Sequence, residues 1–263
     1  MDPESLELLE AGLRKTMLST SGAELDAALA ELGWADMLSD MSEVAIPLVF
    51  RLLGETGSHA SVLNDVVHLT ARREEGANPA LPYAGGGWVV WDYAEVNEST
   101  ALGGLPLRRV EEGGHLRLPD ARVAVGWWLV GAARAMLTLA RRHALDRVQF
   151  GKQIASFQAV RHRLAETLVA IEGAEATLSL PGEDNPDLTA LLAKAAAGKA
   201  ALTAAKHCQQ VLGGIGFTAE HELHHHVERA LVLDGLLGSS RELTRKAGAG
   251  LRARGSAPRL VHL

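Results

Sequence analysis

The sequence predicts a mainly α protein with a helical unit at each end and a small β segment between them. Three observations carry this reading. Apolar residues recur at helical spacing over 1–75 and again over 119–263. β-Branched and aromatic residues, with Gly and Pro punctuation, gather in 76–118. The stretch from Pro119 onward opens with alanine-rich sequence and carries four amphipathic stretches, the pattern of an antiparallel four-helix bundle.

Along 1–75, Leu6, Leu9, Leu13 and Met17 mark a first helix. Ser21 and Glu24 have capping-box spacing ahead of Leu25, Leu29 and Leu32. A third helix is expected from Ser42 to about Gly54, with Pro47 in its first turns, and a fourth from Ser58 to Arg73. In 76–118, "GANPALPYAGGG" reads as a loop, while "WVVWDYAEV" and "LPLRRVEEGGHLRL" read as strands turning at Glu-Glu-Gly-Gly. Three to five short strands fit there, with Trp88 and Trp91 expected in the core.

From Pro119 a long helix runs to about Leu145. Ser156 is the expected N-cap of the next, whose Phe157, Val160, Leu164, Leu168, Ile171 and Leu178 form one stripe. After the connector "PGEDNPD", Asp187 is expected to cap a helix that stops at Gly213-Gly214. Two more helices follow at about 220–236 and 240–253.

Bulk properties exclude several classes of function. The net charge is −6 and no basic stripe is visible, so the footprint of a nucleic-acid binder is missing. A single cysteine, Cys208, excludes an internal disulfide framework and suits a reducing compartment. The acidic start "MDPESLELLE" lacks a signal-peptide layout. The apolar run Val123–Ala133 is too short to span a bilayer and reads as a buried helix. The expected location is the cytoplasm, without membrane association.

Two segments depart from generic helix sequence. "DRVQFGKQIASFQAVRHRLAE" places Arg147, Gln149 and Phe150 at a helix break. Such a set can bind a phosphate through the guanidinium, hydrogen-bond through the amide and pack a flat ring on the aromatic. By itself it also suits an ordinary helix end with a dipole-favoured arginine. "QQVLGGIGFTAEHE" carries Gly-Gly-x-Gly, which allows close backbone approach to an anion or simply a tight helix turn.

Taken together, in this order and spacing, the segments resemble the C-terminal helical domain of the flavin-dependent acyl-CoA dehydrogenases, over about Pro119 to Gly250. More loosely, "LDAALAELGWADML" is similar to the family's N-terminal helices. The resemblance implies that FAD is shared between subunits, with its ADP half held by a mate's C-terminal helices. Arg147 would then meet the pyrophosphate, and Gln149 and Phe150 the adenosine. Gln210, Gly213 and Gly214 would meet the adenine end, and Ser239, Ser240 and Arg241 would also touch FAD. Arg122 matches an arginine lining the acyl-CoA channel, and reads equally as a half-buried helix-start arginine.

The chain departs from that pattern where chemistry would occur. Gln153 and His143 replace a frequent proline and a frequent tyrosine. The family's extensive β-domain, with its Thr-Glu-Pro and Trp-x-(Thr/Ser) segments, is reduced to 76–118. The reaction needs a carboxylate to take the proton α to the thioester carbonyl while the flavin takes the β-hydride. In most members that glutamate directly precedes the Gly-Thr run, and here the position is Leu237. A minority carry it beside the channel arginine, and here that position is Ala121. Asp120 is one residue off, a rotation of about 100° on a helix, and Asp234 lies about one turn before Leu237 and otherwise reads as a solvent-facing acid. His221 and His225 have metal-compatible i,i+4 spacing but read as a solvated helix face, with His224 and His226 beside them.

These expectations combine into a shortened subunit without a catalytic base in a heteromeric dehydrogenase. It would lend FAD contacts to a full-length partner that desaturates an acyl-CoA. Heteromeric members of this kind occur in actinobacterial steroid side-chain degradation, so a steroid side-chain thioester is one candidate substrate. A self-sufficient homo-oligomer using Asp234 or Asp120, or a flavin-free helical scaffold that binds acyl-CoA, are the alternatives.

Overall fold

The computed structural model describes residues 2–71, 78–96, 101–114, 116–180 and 185–257. Five helices come first: α1 (Pro3–Ser19), α2 (Ala23–Glu31), α3 (Trp34–Asp40), α4 (Ser42–Thr56) and α5 (Leu63–Ala71). An antiparallel sheet follows, ordered β1 (Leu81–Tyr83), β2 (Gly87–Trp91), β3 (Leu107–Val110). Then come α6 (Pro119–Asp146), the two-residue strands β4 (Val148–Gln149) and β5 (Lys152–Gln153), α7 (Gln158–Leu178), α8 (Pro186–Leu212), α9 (Leu223–Gly235) and α10 (Ser240–Arg254). The fold is mainly α, as the periodicity predicts.

α6 is the axis. It packs against α4, α5, α7, α8 and α9. Small residues make this possible: Ala121, Ala124, Gly126, Gly131, Ala132, Ala133, Ala140 and Ala144 are all buried. At the α4 crossing, a Cβ on Gly131 would run into the Arg51 carbonyl, and one on Gly54 into the Trp128 carbonyl. One apolar core runs from Leu13 to Leu237, including Trp34, Phe50, Trp91 and Trp128, and a smaller one under α10 joins Leu188, Leu191 and Leu243. Trp91 faces Trp128 with ring centroids 6.4 Å apart. α6 and the stretch from Pro186 to Phe217 are long and apolar enough to cross a bilayer by composition, yet two-thirds of each such window is buried against other helices.

Charge is handled in two ways. α1 and α4 are joined by a closed ring in which Arg14 meets Glu10 (3.1 Å) and Glu55 (2.6 Å) while Arg51 meets Glu10 (3.0 Å) and Glu55 (3.1 Å). Arg229, buried on α9, instead donates to carbonyls: Gly103 at 2.8 Å, Ser58 at 3.0 Å, Gly104 at 3.3 Å and Gly57 at 3.4 Å. It thereby ties the C-terminal end of α4 and the loop before β3 to the bundle, at the helix terminus that favours a cation. Burial pulls its pKa down to about 10, so it stays charged at neutral pH. His59 and His226 line the adjoining cleft of 980 Å³. Burial, and then the charge of Arg229, pushes each imidazole down to about 4.

Several local expectations need correction. The N-cap of α2 is Gly22, not Ser21, whose hydroxyl lies 3.0 Å from His59 Nδ1 and accepts the His59 N–H. Pro47 sits inside α4, past the first turn, where its missing N–H leaves the Glu43 carbonyl without its helical donor. α5 begins at Leu63, later than Ser58, and the expected end at Arg73 lies outside the described residues. The supposed loop contains β1, and the hairpin turns at Ala84–Gly86, where Gly85 and Gly86 take φ of 79°. Glu111–Gly114 forms no hairpin among the described residues; Gly113 lies so close to the Trp88 indole that a Cβ would enter the ring. Phe157, not Ser156, is the N-cap of α7, and Ser156 donates to the Gln153 carbonyl instead. Asn185 caps α8 by accepting the Leu188 N–H, which puts Pro186 at N1 and Asp187 in the first turn. The last two helices start and stop within a few residues of expectation.

Two measurements test this packing. Gly131→Ala destabilises by about 1–3 kcal/mol, since backbone must move to admit the methyl. Gly12→Ala, on an exposed face of α1 with nothing within 4 Å of the added carbon, stabilises by about 0.5–1 kcal/mol; urea midpoints of both variants check the pair. The second is acid sensitivity. The unfolded chain protonates His59 and His226 near pH 6.5, while the folded chain resists until about 4. Stability is therefore present above pH 6.5 and lost as pH falls toward 4, by up to about 3 kcal/mol per histidine. His59→Gln and His226→Gln each flatten the urea-midpoint profile in that window.

Candidate functional site

The expected site residues fall into two groups at opposite ends of the bundle. Arg122, in the first turn of α6, and Arg147, its C-cap, stand about 37 Å apart along it at 1.5 Å per residue. With four helices running up and down in turn, the ends of α6 and α8 lie together, and His143 near the end of α6 feels the charge of His221 just before α9. Arg147, Gln149, Phe150, Gln210, Gly213 and Gly214 share that end. Arg122, Ala121, Asp120, Asp234, Leu237, Ser239, Ser240 and Arg241 share the other. No single dinucleotide on one chain spans both.

At the first end α6 stops at Asp146, and β4 and β5 form a minimal hairpin closed by the Ile154 N–H on the Arg147 carbonyl (2.9 Å). Its two turn residues, Phe150 and Gly151, have φ of 52° and 75°. That geometry matches the twist of a two-residue hairpin. A phenylalanine at positive φ is strained, and here the strain holds an aromatic ring outward at 91% exposure. The ring meets Phe157 edge-on at 6.1 Å, and Lys152 sits over Phe157 at 4.6 Å. Arg147, Gln149 and Gln210 are exposed. Gly213 ends α8 at φ 66°, with open space above it and above Gly214. Val148, Ile215 and Phe217 add exposed apolar surface. This end offers a guanidinium, amides, an aromatic face and bare glycine backbone together, groups able to bind a phosphate and pack a flat ring.

At the other end the turn between α9 and α10 is buried. The turn from α9 to α10 places Leu237 at φ 60° and 1% exposure. Its N–H donates to the Pro82 carbonyl at 2.7 Å, and Leu236 forms a β-bridge with Tyr83. Below the turn, Lys194 is completely buried and donates to the carbonyls of Asp234 (2.9 Å) and Gly238 (2.7 Å). Burial drives its pKa down to about 7 against the pull of nearby Asp234. Asp234 is not solvent-facing as expected. It is 8% exposed, its carboxylate accepts the Ser240 N–H at 3.1 Å, and Gly198 leaves room for it. Ser239 is the N-cap of α10 and forms a reciprocal capping box with Glu242, so its hydroxyl is already engaged. Ser240 is half-buried and Arg241 exposed.

Ala121 is fully buried and Asp120 exposed. Arg122 is largely buried; its Nε has no hydrogen-bond partner, and burial lowers its pKa against the opposing effect of Asp187. Among the histidines, His224 meets Glu228 at 3.1 Å and His221 Nδ1 accepts the Leu223 N–H.

Lys194, Arg229 and the Pro82–Tyr83 strand were not anticipated. A signal exists for the first: Leu191, Gly198 and Ala201 place Lys194 on the buried stripe of α8. For Pro82 and Tyr83 the sequence offers only a proline-glycine loop.

A model of the acyl-CoA dehydrogenase C-terminal domain matches residues 116–250. The chain is 40% identical over 117 residues to the acyl-CoA dehydrogenase IpdE2 of Mycobacterium tuberculosis, a match covering 44% of this chain and 37% of that one. It is 42% identical over 135 residues to FadE34 of the same organism, covering 47% and 19%. The matched region thus spans little more than a third of these relatives at most. In fold, the chain superposes on the ChsE4-ChsE5 complex from M. tuberculosis with TM-score 0.71 at 17% identity, over 98% of this chain and 99% of that one. For the Tcur3481-Tcur3483 steroid acyl-CoA dehydrogenase variant the values are 0.70 and 18%, over 96% and 98%. With just over half of its residues matched by the family's C-terminal domain, the chain belongs to the acyl-CoA dehydrogenase family.

Proposed function

We propose that this chain is a subunit without a catalytic base in a heteromeric FAD-dependent acyl-CoA dehydrogenase, paired with a full-length subunit that carries the base. One observation carries the reading. The place where the family keeps its proton-abstracting glutamate holds Leu237, buried to 1% exposure, while the nucleotide-contacting end of the bundle stands open. When bound, FAD supplies the acceptor for the β-hydride in α,β-desaturation of an acyl-CoA. Arg147 binds the diphosphate, Gln149 and Phe150 hold the adenosine, and Gln210, Gly213 and Gly214 line the adenine end. Ser240 and Arg241 provide what contact the α10 end makes, since Ser239 is held by Glu242. Arg122 keeps its channel-lining role only toward a partner's ligand.

Asp234 is not assigned as a relocated base in this reading, because it is 8% exposed beneath the turn and its carboxylate accepts the Ser240 N–H. The acyl group is proposed to be bulky, of the steroid side-chain type, as in the heteromeric members that the sequence resembles. The cytoplasm is the proposed location, given one buried cysteine and apolar helices that serve as core.

Co-expression with a full-length homologue yields a stable complex with a flavin spectrum. In it, Arg147→Ala weakens FAD retention about 10–100-fold, the worth of a charged hydrogen bond, and Phe150→Ala weakens it by a smaller factor. The chain alone does not oxidise acyl-CoA with an artificial electron acceptor. Robust activity without a partner overturns the proposal.

A further inference from the structure

The turn without a base is not an empty site. Four contacts place β1 across it. The Pro82 carbonyl takes the Leu237 N–H at 2.7 Å, and Tyr83 bridges Leu236. The Tyr83 ring lies on Gly235, where a Cβ would stand 2.7 Å from the ring. The Gly85 N–H donates to the Glu242 carboxylate at 2.9 Å, which fastens the hairpin tip to the start of α10. On the strand's outer side, Arg109 sits 5.5 Å from the centroid of the Tyr83 ring. From beneath, Lys194 holds the carbonyls of Asp234 and Gly238. The clefts of 980, 480 and 220 Å³ are lined by other residues than these turn residues.

The chemistry expected at this position gives the arrangement a meaning. A base at 237 would abstract the proton next to a thioester carbonyl, so an acyl group taken by this turn would lie within side-chain reach of residue 237. The donor available there is the Leu237 N–H, and a carbonyl already occupies it. We infer that β1 is a built-in occupant of the acyl site, with the Pro82 carbonyl in the place of a thioester carbonyl and the Tyr83 ring filling the space in front of Gly235. The inference rests on the reading of Leu237 as the lost base position. It adds that restoring a carboxylate does not restore a reaction: Leu237→Glu leaves the chain inactive, and in a complex each acyl-CoA belongs to a partner subunit's site.

Amide hydrogen exchange reads the strap directly, on the chain alone and in the complex, with octanoyl-CoA as probe. The Leu237 amide exchanges about 100-fold slower than an open turn, and saturating octanoyl-CoA leaves it unchanged. Gly235→Ala drives Tyr83 off the turn and speeds that exchange about tenfold, while the far-UV spectrum is retained. Should Gly235→Ala fail to fold, Glu242→Ala frees the Gly85 anchor and raises the same rate. Free exchange at Leu237 in the unsubstituted chain overturns the inference, as does protection that changes with octanoyl-CoA. The readout needs neither FAD nor partner. A protected Leu237 beside flavin retention that ignores Arg147→Ala therefore removes the subunit proposal and leaves the strap in place.

Discussion

α4 crosses α6 where Gly54 and Gly131 face one another, and backbone meets backbone there with no side chain between. This approach sets the position of every other element. Because α4 lies so close, the crossing face of α6 carries small residues such as Gly131, Ala132 and Ala124 beside Trp128. α7, α8 and α9 stack around α6 as a bundle, and the small sheet is left to close the remaining gap with Trp91 against Trp128. The polar groups follow the same geometry. Arg229 reaches the end of α4 through carbonyls, and the ring of Glu10, Arg14, Arg51 and Glu55 joins α1 to α4.

The two ends of this rigid bundle have diverged in character. One keeps donors, an aromatic ring and bare glycine backbone turned to solvent. The other has been absorbed into the core, with its amide, its carbonyls and its serine hydroxyl all satisfied from within the chain. A buried polar group without a partner carries a penalty of about 1–3 kcal/mol. A buried turn is therefore stable only when the chain provides those partners itself. Pro82, Lys194 and Glu242 provide them.

Helix periodicity made the α framework and its order readable, because an apolar stripe repeats many times and local errors average out. The glycine stop after Leu212 and the break after Asp146 were equally plain. Caps were read less well: Ser21, Ser156 and Asp187 all have the right chemistry, yet Gly22, Phe157 and Asn185 hold the positions, because tertiary contacts decide which of several neighbours begins the helix. β1 was read as loop because three residues give no period, and its pairing with β2 and Leu236 is long-range. Leu237 stood out in the sequence through one absent carboxylate. What fills that place depended on residues about 150 positions earlier in the chain, which no local pattern connects.

The strained hairpin tip at Phe150 has a consequence for how the protein is made. Phe150, Val148, Ile215 and Phe217 are displayed to water at the same end of the bundle, and this surface persists in any copy that lacks a counterpart. Such orphan copies are the ones that self-associate or meet chaperones and proteases. In the proposed pairing, matched synthesis of this chain and its partner subunit would keep that surface covered.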